Sequence, residues 1–104
     1  DITYVEAARS MAVNLLRDAG DDESRVRLAC RSVLCRNPTV AEVAIWRRSL
    51  ARASKNFTAD PGAAKKFLSH GEFKADPKLD PLKLAAWTAL CVNLLNLDES
   101  LNKE

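Results

Sequence analysis

The chain predicts an all-α fold, an irregular bundle of four to five helices. Three observations carry that prediction. Alanine, leucine and arginine, all helix formers, dominate the 104 residues. Only 3 glycines and 4 prolines interrupt them, too few for a turn-rich β fold or a disordered chain. Apolar residues recur at three- and four-residue steps through most of the sequence, the period of an amphipathic helix.

The first helix is expected from Ile2 to Ala19. Val5, Ala8, Ala12, Leu15, Leu16 and Ala19 form its apolar face, and Glu6, Arg9, Ser10, Asn14 and Arg17 fall opposite. Gly20 then offers the left-handed residue that commonly closes a helix. Asp21 and Asp22 are N-cap candidates for a second helix, with Glu23 in its first turn near the positive end of the dipole. Val26, Ala29, Cys30, Val33 and Leu34 make its buried face, and Asn37-Pro38 is expected to stop it, because proline disfavours helical geometry in the residue before it.

Thr39-Val40-Ala41-Glu42 reads as a capping box. The Thr39 hydroxyl can accept from the amide three residues on, while Glu42 reaches back to the Thr39 amide. The third helix that it opens buries Val43, Trp46, Leu50, Ala53 and Phe57 and leaves Arg48 and Arg52 on the solvated side. Asp60-Pro61 and Asp80-Pro81 each place proline at a first helical position after a capping aspartate. They open a short fourth helix, to about Ser69, and a last long helix, to about Asn96. His70 to Asp80 reads as loop. Leu84, Ala85, Trp87, Ala89, Leu90, Cys91, Val92, Leu94 and Leu95 leave the last helix without a clean polar face. Such a helix belongs in the middle of a bundle, with Trp87 deep in the core. The tail from Leu97 is expected to be one further turn or frayed chain.

The net charge of +2 hides an asymmetry. Between Arg25 and Phe57 stand eight basic residues and one acid, Glu42, so this segment carries +7 and the remainder −5. A basic centre lying against acidic flanks of the same fold accounts for the pattern. The functional alternative is an acidic partner, and the best candidate contacts are Arg48 and Arg52, one turn apart.

Cys30, Cys35 and Cys91 form no CxxC pair, and with the lone His70 they do not compose a zinc site of acceptable spacing. On a continuous helix Cys30 and Cys35 would point about 140° apart with about 7.5 Å of rise between them, too far for a disulfide. Cys30 shares the buried stripe. Cys35 falls beside Leu28 on the free side, so a Leu28–Cys35 patch is a candidate docking surface. No phosphate loop, GxSxG or HExxH occurs. His70 beside Glu72 and the adjacent Asp98 and Glu99 read as helix-end residues, so neither an enzymatic role nor a cofactor is expected. A helix-turn-helix reading finds no polar recognition face, which argues against nucleic acid as the partner.

The opening Thr3-Tyr4-Val5-Glu6-Ala7-Ala8-Arg9, the central Leu34-Cys35-Arg36-Asn37-Pro38-Thr39 with Glu42, and the closing Ala86-Trp87 with Leu94-Leu95-Asn96-Leu97-Asp98-Glu99 stand in an order that resembles the C-terminal part of a planctomycete-specific domain of unknown function. That domain occurs in large secreted or surface proteins that often also carry a cytochrome-c-like domain. The resemblance covers nearly the whole chain and implies one helical module over residues 1–104, a C-terminal fragment of a larger extracytoplasmic protein. That reading fits a chain that starts at Asp1 inside a periodic pattern. It implies no catalytic residues. The family ending carries an aromatic residue after the acidic pair, where this chain has Ser100, and no haem-attachment CxxCH occurs. In an oxidising compartment one cysteine could pair with Cys91.

The function expected is therefore a non-enzymatic scaffolding or interaction module, partnered by the remaining domains of its parent chain and spanning no membrane. The alternatives are a binding module for an acidic polymer, nucleic acid or anionic polysaccharide, through residues 25–57, and an accessory domain of an oxidoreductase. The Pro-Thr-x-x-Glu and Asn-Leu-Asp-Glu elements are expected to punctuate helices.

Overall fold

A computed structural model describes residues 2–18, 20–69 and 76–102. Among the described residues five helices follow one another: α1 (Ile2–Asp18), α2 (Asp22–Leu34), α3 (Val40–Ala59), α4 (Pro61–Leu68) and α5 (Pro81–Asn102). The described residues contain no strand, so the fold is an all-α bundle.

Helix α5 sits at the centre and packs against each of the other four. Its residues from Leu84 to Thr88 are buried in unbroken succession, which only a helix covered on several sides can achieve. Trp87 is 1% exposed, and Leu90, Cys91 and Leu94 continue the seam. The Thr88 hydroxyl is wholly buried and makes no hydrogen bond among the described residues. Around α5 lie Ala8, Ala12 and Leu15 of α1, Val26, Ala29 and Cys30 of α2, Val43 and Leu50 of α3, and Ala64 and Leu68 of α4. Phe57 and Phe67 stack with ring centroids 5.7 Å apart and tie α3 to α4.

Helix α1 runs antiparallel to α5. The Tyr4 hydroxyl donates to Glu99 at 2.5 Å at one end, and Arg17 bonds Asp76, ahead of α5, at the other. Within the loop before α5, Asp76 also accepts from the Lys78 amide, and Asp80 accepts from the Leu82 amide to open the helix.

The structure corrects several sequence expectations. Gly20 does not take the left-handed conformation; the left-handed cap is Cys35, at φ 57°, and it ends α2 at Leu34, before Asn37-Pro38 is reached. Cys35 therefore departs from the helical position assumed for its angle to Cys30. Arg9, expected on the solvated side of α1, is 5% exposed, and its guanidinium donates to the Leu68 carbonyl at the end of α4. That bond serves a carbonyl that the helix itself leaves unpaired. The Asn-Leu-Asp-Glu element does not end α5, which continues through it to Asn102. Ala19, His70, Gly71 and Glu72 lie outside the described residues.

Replacing Trp87 with alanine removes the largest fully buried side chain from the middle of the core. We expect Trp87→Ala to destabilise the fold by about 3–5 kcal/mol, read as the urea midpoint at constant m-value. A midpoint equal to that of the parent would mean that α5 is not the central helix.

Candidate functional site

The start of α3 is built as its sequence dictates. The Thr39 hydroxyl accepts from the Glu42 amide at 3.1 Å, and Glu42 Oε1 accepts from the Thr39 amide at 2.8 Å. Both halves of the capping box are therefore present. Pro38 is buried directly before it. The box also holds a partner that spacing did not reveal. Arg36 places Nη1 2.8 Å from Glu42 Oε1 and Nη2 2.7 Å from Oε2, a two-pronged guanidinium–carboxylate pair across the turn from α2 to α3. The Arg36 pair, followed by the Thr39 amide, pulls the Glu42 carboxyl down from its ordinary value of 4.5 to about 2.

Beyond the box, α3 separates its faces cleanly. Val43 and Leu50 are buried and Trp46, Ala53 and Phe57 half-buried. Directly opposite, Ala41, Ala44, Ile45, Arg48, Arg52 and Lys55 are all exposed. Ile45 is 53% exposed and Val40, flanking the stripe, 80%. The arginines of the basic segment divide into two groups. Arg25 pairs with Asp22, Arg27 and Arg47 with Glu23, and Arg36 with Glu42. Arg31, Arg48, Arg52 and Lys55 have no ion pair among the described residues. Charge and helical spacing in the sequence single out Arg48 and Arg52 but not Lys55 or the apolar Val40 and Ile45. Their signal was available: Ala41, Ala44 and Ile45 recur at helical spacing on the side away from the buried stripe.

The two residues of the expected docking patch do not share one lining. Leu28, 40% exposed, forms the wall of an open groove of about 390 Å³ between α1 and α2, with Ala7, Met11 and Ser32 among the groove residues. Cys35 lines a separate shallow niche with Arg31, Arg36 and Asn37. All three thiols are free. Cys30 and Cys91 are buried, and burial pushes both thiols up, Cys91 to about 12. Cys35 is exposed.

Among the described residues, no three His, Cys, Asp or Glu side chains converge closely enough to hold a metal ion. Among those residues, no helix is long and apolar enough to cross a membrane. Comparison with protein-family models, with curated proteins and with solved structures finds no match for the chain.

Two outcomes test this arrangement. Because the Glu42 carboxyl is lower in the folded state than in the unfolded chain, its stabilisation is complete above pH 4.5 and disappears as pH falls through about 2. Urea titrations at a series of pH values should therefore place Glu42→Gln below the parent at neutral pH, with the gap closing between those limits. A gap independent of pH would remove the Arg36–Glu42 pair from the account. For the thiols, iodoacetamide should modify Cys35 in the native protein while Cys30 and Cys91 react only on unfolding, because the thiolate is the nucleophile and burial opposes it. Native labelling of Cys30 at the rate of Cys35 would contradict the orientation of α2.

Proposed function

We propose that the chain is a non-enzymatic helical scaffolding or interaction module of a larger secreted or surface protein, in line with the family that its sequence resembles. The secreted setting, the parent chain and the family rest on that resemblance alone. The observation that carries the interaction reading is the division among the basic residues. Arg25, Arg27, Arg36 and Arg47 are engaged with carboxylates of the same chain, whereas Arg48, Arg52 and Lys55 stand on one exposed helix face without a counter-charge among the described residues. Like charges one turn apart repel, so a partner that brings carboxylates or other anions to this face relieves a cost that the isolated fold retains.

The same observation supports a second reading, a binding module for an acidic polymer such as nucleic acid or anionic polysaccharide through residues 25–57. Both readings use Arg48 and Arg52 as the contacts.

Poly-L-glutamate is a suitable first probe, since it offers carboxylates with no base, sugar or fixed sequence. Binding followed by intrinsic tryptophan fluorescence should weaken as salt rises. It should also fall by about tenfold, roughly 1.4 kcal/mol, in the double variant Arg48→Glu/Arg52→Glu. Binding that is insensitive to both would remove the basic face of α3 from the interaction reading.

A further inference from the structure

The outer stripe of α3 is more than a basic patch. It is ordered along the helix: Ala41, Ala44 and Ile45 occupy its N-terminal half, and Arg48, Arg52 and Lys55 its C-terminal half. At 100° per residue all six fall within an arc of about 100°, opposite Val43 and Leu50. None of the six is acidic, and the one acid of the helix, Glu42, is held by Arg36 and the Thr39 amide. Its charge is therefore already matched and does not compete for the three cations.

Each half narrows the choice of occupant. Two alanines one turn apart leave a shallow seat in which the backbone of a second helix can approach to the usual 8–10 Å, or about that, between axes. The half-exposed Ile45 beside them supplies the apolar contact such a crossing needs. A phosphate backbone has nothing to pair with in this half of the stripe. An anionic lipid surface would gain little from one isoleucine and two methyl groups, since amphipathic segments that hold to membranes present a broad, bulky apolar face. The basic half calls for carboxylates about 10 Å further along, the rise of the seven residues from Ile45 to Arg52.

We propose that this stripe docks an acidic amphipathic helix, and that the helix lies antiparallel to α3. This deepens the interaction reading above and rests on it. The direction follows from the order of the two halves. Acidic side chains stabilise a helix in its first turns, where the dipole is positive, and basic ones in its last turns. The cations of the stripe lie toward the C-terminal end of α3. An antiparallel partner brings its N-terminal turns over them, where its own carboxylates are best placed, and sets its apolar C-terminal turns on Ala41, Ala44 and Ile45. A parallel partner would need its carboxylates in its last turns, against its own dipole.

The test uses a fluorescein-labelled, alanine-based synthetic peptide with glutamates in its first two turns and leucines in its last two, and a second peptide of reversed sequence. Fluorescence anisotropy with the whole chain should show the first peptide binding about tenfold more tightly than the second at low salt. Ile45→Glu and Arg48→Glu/Arg52→Glu should each weaken the first peptide by about tenfold or more. All three positions are exposed, and helical circular dichroism with unchanged melting confirms that the variants fold. Absence of peptide binding, equal affinity for the two directions, or an Ile45→Glu variant that binds as the parent does would overturn the proposal. Tighter binding of duplex DNA or of phosphatidylserine vesicles through the same arginines would overturn it in favour of those partners, and self-association lost in Ile45→Glu would assign the stripe to a second copy. If poly-L-glutamate still binds through Arg48 and Arg52 in any of these cases, the interaction reading stands and only the helical occupant fails.

Discussion

From Leu84 to Thr88 helix α5 has no side left to water, and the remaining helices are arranged by that fact. Five consecutive buried residues, from Leu84 to Thr88, require cover around the full turn. Each of α1 to α4 gives part of it with small or branched apolar residues: Ala8 and Ala12, Val26 and Ala29, Val43 and Leu50, Ala64 and Leu68. The hydrophobic term scales with area removed from water, so no single surrounding helix is as exposed to loss as the one in the centre. Even the polar contacts of the interior answer to this arrangement. Arg9 reaches the Leu68 carbonyl because α1 and α4 both close on the same helix.

Once α5 has claimed one face of each neighbour, the opposite faces are what the molecule can offer elsewhere. On α3 that remainder is orderly, because α3 is long, straight in its periodicity and fixed in rotation by two devices. The capping box sets where it begins, and the Arg36–Glu42 pair joins that beginning to the end of α2. The rotation of α3 about its axis thus decides that Arg48 and Arg52 face outward, while Trp46 and Phe57 turn toward the core.

Much of this was legible in the sequence, and the parts that were not have physical reasons. Caps made by Asp21, Thr39, Asp60 and Asp80 could be read because a short polar side chain before an apolar run has one dominant use. The central place of α5 could be read from its lack of a polar face. The end of α2 could not, since the left-handed cap is a cysteine, and nothing in a cysteine announces a positive φ. Of the two expectations for the tail from Leu97, a further helical stretch and not frayed chain is what forms as far as Asn102; spacing leaves this open because Asn96 and Asp98 are weak helix formers but not breakers, and the Tyr4–Glu99 bond that accompanies the extra turns is a contact across 95 residues of sequence. Arg9 was misplaced for a similar reason: helical spacing gives the side of a helix, not the carbonyl that a long side chain can reach. At the candidate site the arginines are found by charge, while Ile45 is overshadowed by the stronger stripe of Val43, Trp46 and Leu50, although its spacing from Ala41 and Ala44 marks a second, outer face.

The Tyr4–Glu99 bond has a mechanical meaning. It puts the beginning of α1 beside the last turns of α5, with the two helices lying antiparallel between that point and Arg17–Asp76. A pull applied through the two ends would therefore load the α1–α5 seam at one extremity, where Tyr4 and Glu99 meet. The contacts behind it would be strained one after another, as in a zipper, and not all at once as in shear. A bundle loaded in this way yields at low force, so under tension α1 would be the first helix to leave, and the core beneath Ala8 and Ala12 the first to meet water.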